Sequence, residues 1–198
     1  MDRKQITGTA TYQLKRQSGD SVIFDTDGLT IEKVTLADGT ELAFTMGAKD
    51  PILGQALRVA LPAGVDKVSI TYGAGSEAKA LQWLSPEQTA DRKFPFLFTQ
   101  GEAILTRTWI PIQDSPGIRI TYNARVAVPK ELMAVMSATN PQERSSDGSY
   151  SFRMDQPIPP YLIALAVGDI SFKPTGPRTG VYAERSMVDT AAWELADM

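Results

Sequence analysis

From Ile6 onward, apolar side chains return at every second position for most of the chain. Ile6, Gly8, Ala10, Tyr12 and Leu14 do so first, then Leu42, Phe44 and Met46, Leu57, Val59 and Leu61, Val68, Ile70 and Tyr72, and finally Ile118 through Val128. Successive side chains of a strand point to opposite faces, so this pattern specifies half-buried antiparallel strands. No strand-helix-strand rhythm appears. The expected fold is therefore mainly β: mostly antiparallel, twisted, sandwich-like sheets with one short internal helix and the start of a helix at the C-terminal end. Local features refine this. Leu29 and Ile31 lie on one parity and Val34 and Leu36 on the other, so a bulge is expected at Glu32-Lys33. Asp25-Thr26-Asp27-Gly28 reads as a hairpin turn, since no ligand stands at the spacing that would complete a calcium loop. Ser85-Pro86-Glu87-Gln88 carries a capping box with proline at the first helical position. Tyr161 to Val167, apolar on both faces, reads as a central strand.

Both ends of the pattern suggest a piece of a longer protein. The chain enters a strand within a few residues of Met1, and the helix signalled by Ser186 and Asp189 has an apolar face with almost no chain left to pack it. The expected organisation is an N-terminal β domain over 1–185, its first strand or strands missing, followed at 186–198 by the beginning of an absent second domain. No apolar stretch follows the charges of Met1 to Gln5, so no signal peptide is read, and no run approaches the ~18 apolar residues of a membrane span. A cytoplasmic location is favoured, with the compartment left open because a leader could have gone with the first strand. The net charge is -3 with the two signs interspersed, which gives no basic stripe for nucleic acid or anionic lipid. Neither is an expected partner.

The chain has no cysteine and no histidine. That excludes disulfides, thiol nucleophiles, Ser-His-Asp and Cys-His relays, and thiolate- or imidazole-bound zinc. Chemistry by this chain alone is left to carboxylates, Lys, Tyr or Ser-Lys pairs. Ser76-Glu77-Ala78-Lys79 has the S-x-x-K spacing but lacks the S-D-N and K-T-G companions of an acyl-transfer site. Gly73-Ala74-Gly75 lacks the spacing and context of a dinucleotide loop. Trp83, Trp109 and Trp193 stand too far apart in sequence to be read as a platform.

One stretch combines apolar density with reactive groups: Phe94 to Pro116. Phe94, Phe96 and Phe98 alternate as a strand with a buried aromatic face would, and Ile104 to Ile110 alternates again. Gln100, Gly101 and Glu102 interrupt the two halves. A carboxylate between apolar segments needs a partner, and the plain reading is that Glu102 pairs with Arg107 or with solvent at a sheet edge.

Longer words carry a family resemblance. Leu81-Gln82-Trp83-Leu84-Ser85-Pro86-Glu87-Gln88-Thr89, Phe96 to Ile104, Pro111 to Pro116, Val128-Pro129-Lys130-Glu131-Leu132, Ile158 to Leu165 and Gly176-Pro177-Arg178-Thr179 resemble the N-terminal β domain of zinc aminopeptidases of the leukotriene hydrolase type. The match is densest from Leu81 to Thr179. The resemblance implies a saddle-shaped β domain that packs on a thermolysin-like catalytic domain, with the helix at Ser186 opening that second domain. It further implies that a Q-x-E-A word reaches the active site, where the Glu binds the free α-amino group of a peptide. By position these residues are Gln100, Glu102 and Ala103, the substrate-binding candidates.

The leukotriene hydrolases can carry Gln at this Glu position, so Glu102 leans toward aminopeptidase chemistry over epoxide hydrolysis. The family's H-E-x-x-H helix, distal Glu ligand and G-x-M-E-N loop are absent from this sequence. The resemblance therefore places zinc in the parent enzyme, with no cofactor bound and no catalytic residue supplied by this chain. The expected function is substrate recognition in a zinc metallo-aminopeptidase; the alternative is a free-standing β-sheet binding module without enzymatic activity.

Overall fold

The structure, a computed structural model, describes residues 1, 3–15 and 19–197. Among these residues the alternation resolves into five antiparallel sheets. One contains β1 (Ile6–Gln13), β6 (Lys67–Ala74) and β3 (Thr30–Thr35), in that order. A second contains β2 (Ser21–Thr26), β5 (Gln55–Ala60) and β4 (Phe44–Met46). The largest has the order β10 (Met133–Met136), β12 (Leu165–Gly168), β8 (Phe96–Thr99), β7 (Leu81–Leu84). Two ribbons complete the set: β9 (Ile120–Ala127) with β11 (Ser149–Ile158), and β13 (Ile170–Pro174) with β14 (Gly180–Glu184).

Two cores follow from the inward positions of these strands. Phe24, Val34, Leu57, Val59, Leu61, Val68, Ile70 and Tyr72 are buried together between the first two sheets. Burial of each such side chain stabilises by about 1.5 to 3 kcal/mol relative to leaving it in water. Leu81, Leu97, Trp109, Leu132, Met133, Tyr150, Phe152, Leu165 and Val167 belong to the second core, beneath the four-stranded sheet and the β9-β11 ribbon. The β3 register shifts between Ile31 and Lys33, the bulge expected from the parity slip.

Several local expectations give way to tertiary context. Asp25 to Gly28 is not a hairpin turn. β2 pairs with β5 and β3 pairs with β6, so this segment carries the chain from one sheet to another, with Gly28 at φ +74°. The buried face of β8 is not the aromatic one: Leu97 is buried between Trp83 and Val167 in register, whereas Phe98 is 39% exposed opposite Gln82 and Ala166. Tyr161 to Val167 is strand only in its second half. Pro160–Leu162 forms a one-turn 3-10 helix, and β12 then runs centrally between β10 and β8. The capping box at Ser85 opens a single 3-10 turn, Pro86–Gln88, with the Gln88 side chain accepting from the Ser85 N–H at 3.0 Å. The C-terminal helix, α1 (Val188–Glu194), packs on the β13-β14 ribbon. Ala192 is buried there and Asp189 pairs with Lys173, while Trp193 stays 78% exposed.

Candidate functional site

The loop that follows β8 is fixed from below by backbone contacts. The Gln100 N–H donates to the Ala80 carbonyl at 2.9 Å, and the Leu105 N–H donates to the Gly101 carbonyl at 2.9 Å. Gly101 is buried where only a hydrogen fits: a Cβ there would lie 2.6 Å from the Tyr161 carbonyl oxygen and 3.1 Å from Thr106 Oγ1. Gly101 is therefore the point at which the loop closes onto the Pro160–Leu162 turn, as the sequence suggests for a glycine interrupting a strand.

Beyond Gly101 the chain does not return to a strand. Ile104 to Ile110, expected to alternate across a sheet, forms turns around the 3-10 segment Thr106–Thr108, and all three residues of that segment are buried. Their polar groups find specific partners, which is what burial requires of them. Thr106 Oγ1 donates to the Pro160 carbonyl at 3.0 Å. Thr108 Oγ1 donates to the Leu105 carbonyl at 2.7 Å and accepts from the Ala80 N–H at 3.1 Å.

Arg107 is the hub of this support. Its backbone N–H and its Nε both donate to Asp114 Oδ2, at 3.0 and 3.3 Å. Its two terminal nitrogens donate to the Leu53 carbonyl at 2.7 Å and the Asp114 carbonyl at 2.8 Å. Asp25 completes the set, 3.6 Å from the guanidinium and accepting from the Asp114 N–H at 2.8 Å. Burial pushes the Asp114 carboxyl above its ordinary range; the hydrogen bonds and charge of Arg107 act in the opposite direction, and the Asp25 carboxylate adds to the rise. This cluster was not singled out from the sequence as a unit. The signal for it was the broken parity between Gln100 and Asp114, but the identity of the partners depends on residues some ninety positions apart.

The three substrate-binding candidates sit together on top of that support. Gln100, Glu102 and Ala103 are all exposed, with buried Gly101 between the first two, and the Glu102–Ala103 peptide is cis. Arg107 is turned into the protein and does not pair with Glu102. Among the described residues no ion pair involves Glu102. Two cavities, one of about 730 Å³ between β1 and β9 and a smaller one, are not lined by Gln100, Glu102 or Ala103. Zinc does not fit the residues present: among those described, no group of three His, Cys, Asp or Glu side chains is placed to hold a metal ion.

A family described as the Peptidase M1 N-terminal domain matches residues 1–162. Leukotriene A-4 hydrolase of Xenopus laevis is 40% identical over 197 residues, which cover 94% of this chain and 32% of that protein. Aminopeptidase B of Rattus norvegicus is 44% identical over 146 residues, covering 71% of this chain and 22% of that protein. The solved structure of yeast leukotriene A-4 hydrolase in complex with bestatin superimposes with a TM-score of 0.91 at 32% identity, over 99% of this chain and 31% of that one. The chain thus spans about a third or less of the length of these relatives. The family match over residues 1–162 and the mainly antiparallel β architecture shared with the solved relative make the chain a member of the Peptidase M1 N-terminal domain family.

Proposed function

We propose that this chain is the substrate-recognition domain of a zinc aminopeptidase, in which Glu102 receives the free α-amino group of a peptide while a separate catalytic domain supplies the metal. The observation that carries this reading is the placement of Glu102: an exposed carboxylate, with no ion pair among the described residues, on a loop anchored at Gln100 and Gly101 that leads into the buried Arg107 cluster. An N-terminal ammonium is the feature common to all aminopeptidase substrates. A carboxylate accepts from it in a charge-assisted hydrogen bond of about 2.7 to 2.9 Å.

The role of the chain in such a reaction is positional. Anchoring the amine fixes the first residue of the peptide and sets the distance from that nitrogen to the first carbonyl, so that one peptide bond is presented to the metal. A metal held by the separate catalytic domain would supply the Lewis-acid chemistry, and the part of this chain's residues would be to bind and orient the peptide. Gln100 and Ala103 flank the carboxylate on the same loop, Gln100 offering amide donors and acceptors and Ala103 a small apolar wall. No catalytic residue is assigned to this chain, and none of its residues is assigned to the metal.

The test is Glu102→Ala in the chain joined to its catalytic domain. Leaving a bound ammonium unpaired costs about 2 to 5 kcal/mol, which corresponds to a fall of about 30- to 5,000-fold in kcat/KM for peptides. An unchanged kcat/KM contradicts the assignment. A peptidase assay of this chain alone with added zinc is expected to give no turnover, and turnover would contradict the division of labour.

A further inference from the structure

Glu102 stands in a closed turn, Gly101–Leu105, sealed where the Leu105 N–H donates to the Gly101 carbonyl at 2.9 Å. Just before the turn, the Gln100 N–H donates to the Ala80 carbonyl at 2.9 Å, which extends the β7-β8 ladder past its pair of Leu81 with Thr99. Ala80 and Leu105 thus hold the two ends of the segment that carries the carboxylate. Both are bonded to one further side chain. Thr108 Oγ1 accepts from the Ala80 N–H at 3.1 Å and donates to the Leu105 carbonyl at 2.7 Å. The bonds form a circuit around Glu102: Gln100 to Ala80, Ala80 to Thr108, Thr108 to Leu105, Leu105 to Gly101.

The hydroxyl is essential to that circuit. Thr108 is 2% exposed and Ala80 wholly buried, so neither group has bulk water to turn to. A hydroxyl can accept from a backbone N–H while donating to a carbonyl; a methyl of the same size does neither. Valine at this position would leave the buried Ala80 N–H unpaired, and the Leu105 carbonyl would keep only the Thr108 N–H at 3.0 Å. The side-chain bonds of Arg107 run instead to Leu53 and Asp114, and they hold the segment beyond the turn.

We infer that Thr108 is a positioning residue for peptide recognition: its hydroxyl joins the two ends of the turn that carries Glu102, and so sets where the carboxylate meets the amine of the substrate. The inference rests on the role proposed above for Glu102. Thr108 acts through the backbone and does not itself touch the peptide. Its loss matters because a displacement of about 1 Å in a binding group costs on the order of 100-fold.

The test is made in the chain joined to its catalytic domain, with an amino acid hydroxamate and its desamino analogue, two inhibitors that differ only in the amine. Calorimetry gives the Kd of each, and the ratio of the two reports recognition of the amine whatever fraction of the protein is folded. In Thr108→Val the advantage of the amine is expected to fall tenfold or more, with the Kd of the desamino analogue within twofold of the wild type. Thr108→Ser is expected to restore it. Thr108→Ala, measured in parallel, is expected to behave as the valine variant and decides the matter if valine does not fold. Glu102→Gln separates the two readings: it is expected to lower the ratio, and Thr108→Val added to it to lower the ratio no further. A ratio lowered by Glu102→Gln but unmoved in Thr108→Val and Thr108→Ala overturns this inference alone, as does weaker binding of both inhibitors alike or a further fall in the double variant. A ratio unmoved by Glu102→Gln overturns the role of Glu102 and this inference with it.

Discussion

Replacing Arg107 by methionine is the sharpest perturbation of the support beneath the candidate site. The side chains of Arg107 and Asp114 are 6% and 1% exposed, so the substitution leaves a carboxylate buried without its cation. It also removes donors from the Leu53 and Asp114 carbonyls. Breaking a buried ion pair from one side costs about 3 to 5 kcal/mol, a large fraction of the stability of a domain this size. The raised pKa of Asp114 adds a signature. With the cation gone, burial is opposed only by the Arg107 backbone N–H and Asp114 rises further, so part of the loss is regained as the pH falls and the carboxyl takes up a proton. Urea unfolding of the two proteins at pH 7 and at pH 5 measures both effects. A loss below about 1 kcal/mol at pH 7 would show that the cluster does not hold the loop, and a loss that grows toward pH 5 would refute the assigned origin of the Asp114 shift. A smaller penalty is expected for Asp114→Asn, which keeps an acceptor for the Arg107 N–H and leaves the guanidinium its carbonyl acceptors at Leu53 and Asp114 and the Asp25 carboxylate 3.6 Å away.

Further expectations concern the fold around the site. Gly101→Ala is expected to cost about 1 to 3 kcal/mol in urea unfolding, because the new methyl meets the Tyr161 carbonyl at 2.6 Å; a neutral result would mean that the two loops separate freely. Tyr72 is pushed by burial up to about 12, against about 10 in an unfolded chain. Its folded pKa is raised, so its contribution is complete below pH 10 and is lost as the pH rises toward 12, at about 1.4 kcal/mol per pH unit. The stability difference between the wild type and Tyr72→Phe, followed from pH 9 to 12, should decline with that slope, and a constant difference would contradict it.

Much of the architecture was legible because it rests on local periodicity. The clean alternation from Ile118 to Val128 became β9, and the parity slip at Glu32-Lys33 became the β3 bulge. The substrate-binding candidates were found as a group because an apolar alternation stopped at Gln100-Gly101-Glu102 and because the words around them resemble a known family. What was not legible depends on partners far along the chain. Ile104 to Ile110 alternates like a strand, yet Thr106 and Arg107 donate to Pro160 and Asp114 and Thr108 accepts from Ala80, and a turn satisfies those groups where a strand would not. Phe98 was expected inward for its size, but pairing of β8 with β7 and β12 puts Leu97 on the core side. Trp83 and Trp109, distant in sequence, line one cavity because the four-stranded sheet and the segment after Thr108 border the same space.

Recognition by Glu102 is a charge meeting a charge, and the free amine of the substrate is the group to vary. In the chain joined to its catalytic domain, kcat/KM is compared for one peptide with its N-terminus free and with it acetylated, in the wild type and in Glu102→Gln. Strong preference for the free amine is expected in the wild type, and a preference reduced at least thirtyfold in the variant, about 2 kcal/mol of lost discrimination. The same preference in both proteins would contradict it.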